Sequence, residues 1–440
     1  MTLGLIAMSG VRVHNDELMA LGLTLPGFVE RSEVIASLPS LGLLTLAGMT
    51  PDDFDIRYLE VPDLETVDGL PGAFDLVAIS SYTAQIKDAY RLADRYRAAG
   101  TKVVVGGLHV TTMPFEAAKH ADSVVLGEGE LLWHELLDDF RHGDLKPFYD
   151  GRGRSFNLAE APMPRYDLLD PRRYNRLTVQ TQRGCPHLCD FCASSILISP
   201  HYKVKPVEKV IAEVRRIKEL WKHPFIEFAD DNSFVDKAYA KALLRELAKE
   251  KVRWFTEADI SISEDPELLN LMKESGCAQV LIGLESTSFS GLNGLEMHAN
   301  WKAKKLGEYR RAIKTIQNHG ITVNGCFVLG LDGTGTDSFG AIYEFVKQTR
   351  LYEVQITVLT PFPGTPLYER LESEGRILNK GAWELCTLFD VNFIPEKMTV
   401  SELETGLRTL LRQLYSEEFV QWRRQHFFDR QRRKMHAEIT

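Results

Sequence analysis

The chain has 440 residues, a length typical of about three domains. Hydrophobic residues make up 44% of it and charged residues 26%, which excludes a disordered chain, a collagen-like chain and a small disulfide scaffold. The net charge of −9 argues against general binding of nucleic acid through its phosphate backbone.

Residues 1–150 alternate short apolar runs with segments of helical periodicity. The runs LGLIAM, FDLVAISS, TKVVVGG and SVVLGEGE are expected to be strands, and residues 84–100 an amphipathic helix that ends at Gly100. This alternation predicts parallel βαβ units in a doubly wound, Rossmann-like α/β sheet. Ligands bind outside the carboxyl ends of strands in such sheets, so GGLHV and GEGE are candidate ligand loops. The same glycines are equally consistent with tight turns alone.

A linker and a second series of strands follow. Residues 151–175 are rich in Gly, Pro, Arg and Asp and have no periodicity, which indicates a linker. Between 176 and 380, six expected strands alternate with amphipathic helices: LTVQTQRG, FIEFAD, RWFTEAD, QVLIGLES, TVNGCFVLG and EVQITVLTPFP. Six such units predict an open, partial (β/α)6 TIM-like barrel rather than a closed eightfold one.

Residues 381–440 are expected to form a small helical C-terminal domain. It ends in the basic residues Arg430, Arg432, Arg433 and Lys434, which we interpret as a solvated helix face; a nucleic-acid contact is the minor alternative. No apolar run reaches the length of about 18 residues needed for a membrane span, and the N-terminus lacks a signal-peptide pattern. We therefore expect a cytoplasmic protein without a membrane segment.

Three of the six cysteines stand within eight residues, in the loop after the first predicted barrel strand: Cys185-Pro-His-Leu-Cys189-Asp-Phe-Cys192. Clustered thiols in a chain without a secreted framework favour metal binding. Three thiolates can hold three corners of a [4Fe–4S] cluster and leave one iron open. The alternatives are a zinc site completed by His187 or another residue, and free thiols. The remaining cysteines stand alone and are interpreted as buried structural thiols: Cys277, Cys326 and Cys386.

The CxxxCxxC spacing, with the aromatic Phe191 before its last cysteine, resembles the cluster motif of the radical S-adenosylmethionine (SAM) enzymes. SLPSLGLLTLAG, DLVAISS, VVVGGLHVTTMP and VVLGEGE are similar to segments of the cobalamin-dependent subfamily, whose members have an N-terminal B12-binding domain. In the barrel, FADDNSF, IGLES and TPFPGTPLY resemble the same subfamily. The resemblance implies a [4Fe–4S] cluster at the three cysteines, SAM, cobalamin, a small-molecule substrate and an external electron donor of the flavodoxin or ferredoxin type.

The resemblance also implies positions for the cofactor contacts. SAM contacts would lie on the cysteine loop and at strand ends, with the methionine amino group near Asp230 and Asp231 and the ribose near Glu285. The complete implied set for SAM is Phe191, Asp230, Asp231, Glu257, Asp259, Glu285, Gly325 and Gly330. Strand-end carboxylates that cap the following helix are the alternative. The implied cobalamin contacts are Ser80, Ser81, Thr83, Gly106, Gly107, His109, Thr111, Gly127 and Glu128.

The N-terminal domain can also be interpreted as one that does not bind cobalamin. The DxHxxG motif of many cobalamin proteins is absent, as it is in many members of this subfamily, so the N-terminal domain could be vestigial and only shape the substrate pocket. His109 is equally consistent with a core or helix-capping residue.

The implied reaction is reductive cleavage of SAM to the 5′-deoxyadenosyl radical, followed by cobalamin-dependent methyl transfer to a carbon of a small molecule or natural-product intermediate. The alternative is another reaction of the same architecture, namely aminocarboxypropyl transfer forming a C–S or C–As bond, cyclisation or ring contraction. Methylthiotransferases of transfer RNA need a second set of three cysteines, and none precedes Cys185. A cobalamin-binding regulator and a zinc-stabilised binding protein are the alternatives without catalysis.

Overall fold

The fold is seen in a computed structural model that describes residues 1–8, 38–197 and 201–439. In the described residues, twelve strands form two six-stranded sheets, one after the other along the chain, in which all neighbouring strands are parallel. Ser37, the first residue of the segment SLPSLGLLTLAG, lies outside the described residues.

The first sheet has the strand order β2-β1-β3-β4-β5-β6. Alternate residues of its central strands enter two separate apolar cores, one on each face, because helices cover both faces. This confirms the predicted doubly wound sheet. Its strands are β1 (Thr2–Met8), β2 (Asp55–Glu60), β3 (Leu76–Ser81), β4 (Lys102–Gly106), β5 (Ser123–Leu126) and β6 (Phe148–Asp150). Its helices are α1 (Leu41–Met49), α2 (Ile86–Ala98), α3 (Leu108–Thr112), α4 (Pro114–Ala117) and α5 (Trp133–His142).

The second sheet has the order β14-β13-β12-β11-β10-β7, so its strands follow one another in sequence and the described barrel is open. This confirms the predicted partial barrel. Its strands are β7 (Leu177–Val179), β10 (Phe225–Phe228), β11 (Arg253–Ala258), β12 (Cys277–Glu285), β13 (Thr322–Leu329) and β14 (Glu353–Val358). A separate antiparallel pair contains β8 (Gln182–Arg183) and β9 (Lys203–Val204).

The helices of the second half lie between and after these strands. They are α6 (Ala193–Leu197), α7 (Val207–Leu220), α8 (Lys237–Glu250), α9 (Pro266–Glu274), α10 (Phe289–Leu292), α11 (Trp301–Lys305), α12 (Tyr309–Asn318), α13 (Asp337–Thr349), α14 (Pro366–Ser373), α15 (Val400–Leu414) and α16 (Glu417–Ile439). One face of α7 is buried, as the spacing of its apolar residues predicts: Val210, Ile211, Val214 and Ile217.

Two details differ from the predictions. LTVQTQRG is not one strand: β7 ends at Val179, and the amides of Thr181 and Gln182 donate to the Asp230 carboxylate instead of a neighbouring strand. The region after 380 is helical in α15 and α16, as predicted, but Trp383 and Cys386 lie before these two α-helices and pack into the core of the first sheet. In the described part of the chain, no helix has the length and apolar character needed to cross a membrane.

Candidate active site

The cysteine loop lies between β8 and α6, against the segment that follows α10. Gly184 and Leu188 adopt left-handed backbone conformations, with φ of +88° and +46°, which turn the chain sharply on either side of Cys185. The Asp190 amide donates to the Leu295 carbonyl (2.9 Å), and the Met297 amide donates to the Leu188 carbonyl (3.1 Å). These bonds fix the loop without using any of its cysteine side chains.

All three cysteines line one cavity of about 360 Å³ at the carboxyl ends of the barrel strands. Cys189 is buried, whereas Cys185 and Cys192 are half-buried. Burial raises the pKa of the Cys185 thiol to about 11 and that of Cys189 to about 12. These thiols ionise at neutral pH only when a bound cationic group compensates their charge, as iron does in a cluster. Three thiols opening onto one cavity therefore fit an iron–sulfur cluster.

His187 lies inside the loop but is arranged to stabilise it. Its Nε2 is 3.2 Å from Asp259 Oδ2 and its Nδ1 is 3.0 Å from Glu296 Oε1. Burial lowers the pKa of His187, but the hydrogen bonds to the two carboxylates outweigh burial and raise it to about 9. An imidazolium with both nitrogens directed at carboxylates has no lone pair for a metal. The structure therefore disfavours a zinc site completed by His187. In the described ranges no set of three or more His, Cys, Asp or Glu side chains is arranged around a single ion.

The paired aspartates Asp230 and Asp231 follow β10 and have different surroundings. Asp230 is buried and accepts hydrogen bonds from the Thr181 amide (2.8 Å), the Thr181 hydroxyl (2.5 Å) and the Gln182 amide (3.1 Å). Asp231 lines the cavity and accepts from the Gly184 amide (3.0 Å) and the Ser194 hydroxyl (2.5 Å). Asp230 thus fixes the approach to the cysteine loop, and Asp231 joins its two ends while facing the cavity.

Glu285 ends β12 in a left-handed conformation, with φ of +58°, which is rare for a residue with a side chain. Its Oε1 accepts a hydrogen bond from Lys302 Nζ at 2.5 Å. Lys302 is buried on the cavity wall. Gly283 leaves room for this pair, because a Cβ at that position would collide with the Glu285 carboxylate. Sequence reasoning missed Lys302, whose surroundings in WKAKK give no signal of burial.

The remaining members of the predicted SAM set are divided between the cavity and the core. Phe191, Glu257 and Asp259 line the cavity. Glu257 is accessible from within it, and in the described chain no hydrogen-bond or ion-pair partner of its carboxyl is found. Desolvation by the enclosing cavity walls, reinforced by neighbouring carboxylates, raises the pKa of Glu257 to about 8. Gly325 instead permits packing, because a Cβ there would lie 2.9 Å from a Leu351 methyl group.

One prediction about the scattered cysteines is wrong. Cys277 and Cys386 are buried, as interpreted from sequence. Cys326, in contrast, is half-buried and opens onto the cavity of the three clustered cysteines. Side chains alternate between the two faces of β13, and Cys326 is on the face that lines the inside of the barrel. An apolar strand pattern does not distinguish this inner face from the outer one.

A second cavity, of about 340 Å³, lies at the carboxyl ends of β3, β4 and β5. Gly107 has a φ of +118°, and Gly127 has a φ of +82° with no space for a Cβ, which would lie 3.1 Å from the Gly151 carbonyl carbon. Glycine at these turns brings the backbone directly to the cavity wall. Of the predicted cobalamin contacts, the lining includes Ser80, Gly106, Gly107, Gly127 and Glu128.

The other predicted cobalamin contacts lie away from this lining. His109 is fully buried, with its Nε2 3.3 Å from Glu116 Oε1 and its ring against Trp383 at a centroid distance of 5.2 Å. Thr111 accepts a hydrogen bond from the Gly127 amide and so supports a lining residue from behind. Ser81 and Thr83 are also outside the lining. The burial of His109 and its contacts with Glu116 and Trp383 are those of a core histidine.

Glu128 connects the two halves of the chain. Its carboxylate accepts hydrogen bonds from the Phe156 amide (2.6 Å), Lys203 Nζ (2.6 and 2.8 Å) and Arg183 Nη1 (2.5 Å). Burial raises the pKa of Glu128, but the hydrogen bond from Lys203 and the other donors outweigh burial and lower it. Arg183 also lines the second cavity and directly precedes the cysteine loop.

The chain is similar in sequence to known protein families and to characterised proteins. Residues 179–346 match the model of the Radical SAM superfamily, 32–137 that of the B12 binding domain, and 365–439 that of a domain of unknown function, DUF4070. Bacteriochlorophyllide d C-12(1)-methyltransferase of Chlorobaculum tepidum is 30% identical over 391 residues, which are 88% of this chain and 84% of that protein. The chain belongs to the cobalamin-dependent radical SAM family. The predicted family and its cofactors, namely SAM, a [4Fe–4S] cluster and cobalamin, are thereby confirmed.

Further relatives agree with this membership. The hopanoid C-2 methylase of Rhodopseudomonas palustris is 26% identical, covering 79% of this chain and 67% of that protein. The solved structure of TsrM, a radical SAM methyltransferase from Kitasatospora setae, shares the fold with a TM-score of 0.63 and 16% identity, covering 94% of this chain and 85% of that one. Membership of the family makes the chain a radical SAM enzyme related to methyltransferases, as predicted.

Proposed function

We propose that the enzyme transfers a methyl group from SAM to a carbon atom of a small molecule. The observation that supports this most directly is that the two cavities meet: Ser194 and Asp231 line both of them. Radical methylation requires the SAM-derived radical, the acceptor carbon and the methyl donor to be aligned in one space. Adjacent cavities provide that space between the cysteine loop and the carboxyl edge of the first sheet.

We assign the cluster to Cys185, Cys189 and Cys192, SAM to the barrel cavity and the corrinoid to the second cavity. When bound, the cluster supplies the electron that cleaves SAM, and the corrinoid serves as methyl carrier. The segments 1–150, 151–175, 176–380 and 381–440 are then the corrinoid domain, the linker, the barrel and the C-terminal domain. The chain itself orients the cysteine loop through Asp231 and Asp230, as described above.

The acceptor in this proposal is mainly apolar near the reacting carbon. Leu281, Val328 and Val358 form part of the barrel cavity, and Leu41 and Leu46 part of the second. Such walls exclude water, which protects a reactive intermediate from side reactions. The relatives named for methylation of bacteriochlorophyllide d and of hopanoids support a small-molecule acceptor. We further propose an electron donor of the flavodoxin or ferredoxin type and a cytoplasmic location.

The experiment that tests the reaction follows the methyl group. The reconstituted holoenzyme is incubated without oxygen with SAM labelled as CD₃, a reductant, and a small-molecule extract of the native host. We expect 5′-deoxyadenosine and S-adenosylhomocysteine as products, together with one extracted compound that gains a CD₃ group by mass spectrometry. Methylthioadenosine as the main product, without labelled acceptor, would instead identify aminocarboxypropyl transfer and refute the proposal.

The corrinoid assignment predicts that filling the second cavity prevents corrinoid binding. Gly42, in α1, lines this cavity, and a Cβ there would have no atom within 4 Å. Gly42→Phe is therefore expected to fold normally but to retain less than about a tenth of the hydroxocobalamin that the wild type retains at about one per chain after gel filtration. The control is Gly340→Phe, on an equally open position of α13 outside the cavity. Equal corrinoid retention in the two variants would contradict the assignment.

A further inference from the structure

Lys302 and Glu285 form a buried ion pair on the wall of the cavity that the three cysteines line. Lys302 Nζ donates to Glu285 Oε1 at 2.5 Å and to the Gly283 carbonyl at 3.1 Å. A buried ammonium requires a compensating charge, and Glu285 provides it. The pair is neutral as a whole but places a positive and a negative charge at different positions in the wall.

The position of Lys302 is fixed relative to the cysteine loop. Its amide donates to Glu296 Oε2 at 2.9 Å. Glu296 forms an antiparallel backbone bridge with Cys189, and its carboxylate faces His187. The backbone of Lys302 and the cysteine loop are therefore joined through one short segment, and the bonds to Glu285 and to the Gly283 carbonyl hold the ammonium on the cavity wall.

Lys302 and Glu285 line the same cavity as the three clustered cysteines, so both charges of the pair face the space in which the cluster is proposed to sit. A charge held in a buried wall is screened less by water and salt than a charge at the surface.

We propose that this pair sets the reduction potential of the iron–sulfur cluster, with Lys302 raising it and Glu285 opposing the rise. Reduction adds one electron from the external donor to the cluster, which becomes more negative by one charge. A fixed cation nearby stabilises the reduced form relative to the oxidised form, and a fixed anion does the reverse. This inference rests on the proposed cluster site at the three cysteines. The two residues act on the cluster through its electrostatic surroundings and are not its ligands.

The test is potentiometry of the reconstituted, corrinoid-loaded holoenzyme without SAM, monitored by the EPR signal of the reduced cluster. We expect Lys302→Met to lower the reduced-to-oxidised ratio at a fixed potential by about tenfold, which is ~59 mV for a one-electron couple. Glu285→Gln should shift the potential in the opposite direction. The double variant should return towards the wild type, because it removes both charges. Omitting SAM separates this effect from any contact that Lys302 or Glu285 makes with SAM itself.

Matched controls make the outcome specific. Lys302→Arg keeps the charge and should keep the potential. Lys305→Met removes the same charge from the same helix, but Lys305 pairs with Glu264 and Glu308 outside the cavity, so the potential should not move. Potentials that are unchanged, or that shift in one direction in both Lys302→Met and Glu285→Gln, would overturn the inference. If Lys302→Met does not hold the cluster, the potentials of Glu285→Gln and of the double variant decide whether the inference stands. A wild type without a cluster would instead refute the proposed site.

Discussion

Replacing Cys189 with alanine is expected to abolish the formation of 5′-deoxyadenosine. Cys189 is the most buried of the three clustered cysteines, and its loss leaves two thiols to hold a cluster that the proposal assigns to three. The fold should survive, because the loop is fixed by the backbone bonds of Asp190 and Met297 rather than by the thiol. Iron and sulfide content after anaerobic reconstitution, and 5′-deoxyadenosine measured by mass spectrometry, provide the two measurements.

The control for this variant is Cys277→Ala. Cys277 is equally buried, but it lies at the start of β12, outside the cavity, where its thiol faces the Gln279 carbonyl. This variant should keep the cluster and the product at wild-type levels, apart from a small loss of stability. Undiminished 5′-deoxyadenosine in Cys189→Ala would remove the basis of the cluster assignment, whereas an equal loss in both variants would indicate a general sensitivity of the fold to lost thiols.

The strands and the cysteine loop were predictable because their signals are local. Strands buried on both faces require continuous apolar runs, as in VVV at the centre of β4, and both sheets contain them. The cysteine spacing is likewise contained in eight residues. The position of the loop, after the first barrel strand, followed from the order of these runs alone.

The roles of individual polar residues were less predictable, because they depend on partners far away in sequence. Asp230 was predicted as a cofactor contact, yet its oxygens are occupied by Thr181, Gln182 and Ser233. Lys302 reaches Glu285 across 17 residues and a turn of unusual backbone conformation. Neither spacing nor composition reports such contacts, since they are created by the packing of strand ends against a loop.

Glu128 was expected to contact the corrinoid, and the structure gives it a second role that can be tested through stability. Its carboxylate is buried between Lys203 and Arg183, which come from the other half of the chain. Arg183 also pairs with Glu130, so the charge left without compensation is that of Lys203. Removing one member of a buried ion pair typically costs about 3 kcal/mol. Glu128→Gln preserves the shape but removes the charge, so we expect the melting temperature of the cofactor-free protein to fall by about 5 °C.

Local opening provides a second measurement of the same variant. The amide of Phe156, within the segment 151–175, donates to Glu128, so loss of the carboxylate should release this segment. Trypsin should then cleave between residues 151 and 175 several times faster than in the wild type. Glu135→Gln is the matched control, because Glu135 forms an exposed pair with Lys146 whose contribution is typically below 1 kcal/mol. Unchanged melting and cleavage in Glu128→Gln would show that Glu128 does not hold the two halves together.

The pH dependence of this stabilisation has a defined sign. Because the pKa of Glu128 is lower in the folded chain than in the unfolded chain, its contribution is complete above the unfolded pKa and disappears as the pH falls through the folded value. The difference in melting temperature between the wild type and Glu128→Gln should therefore be largest near neutral pH and shrink in acid. A difference that grew as the pH fell would mean that the carboxylate is not the charged partner of Lys203 and Arg183, and that these cations are compensated elsewhere.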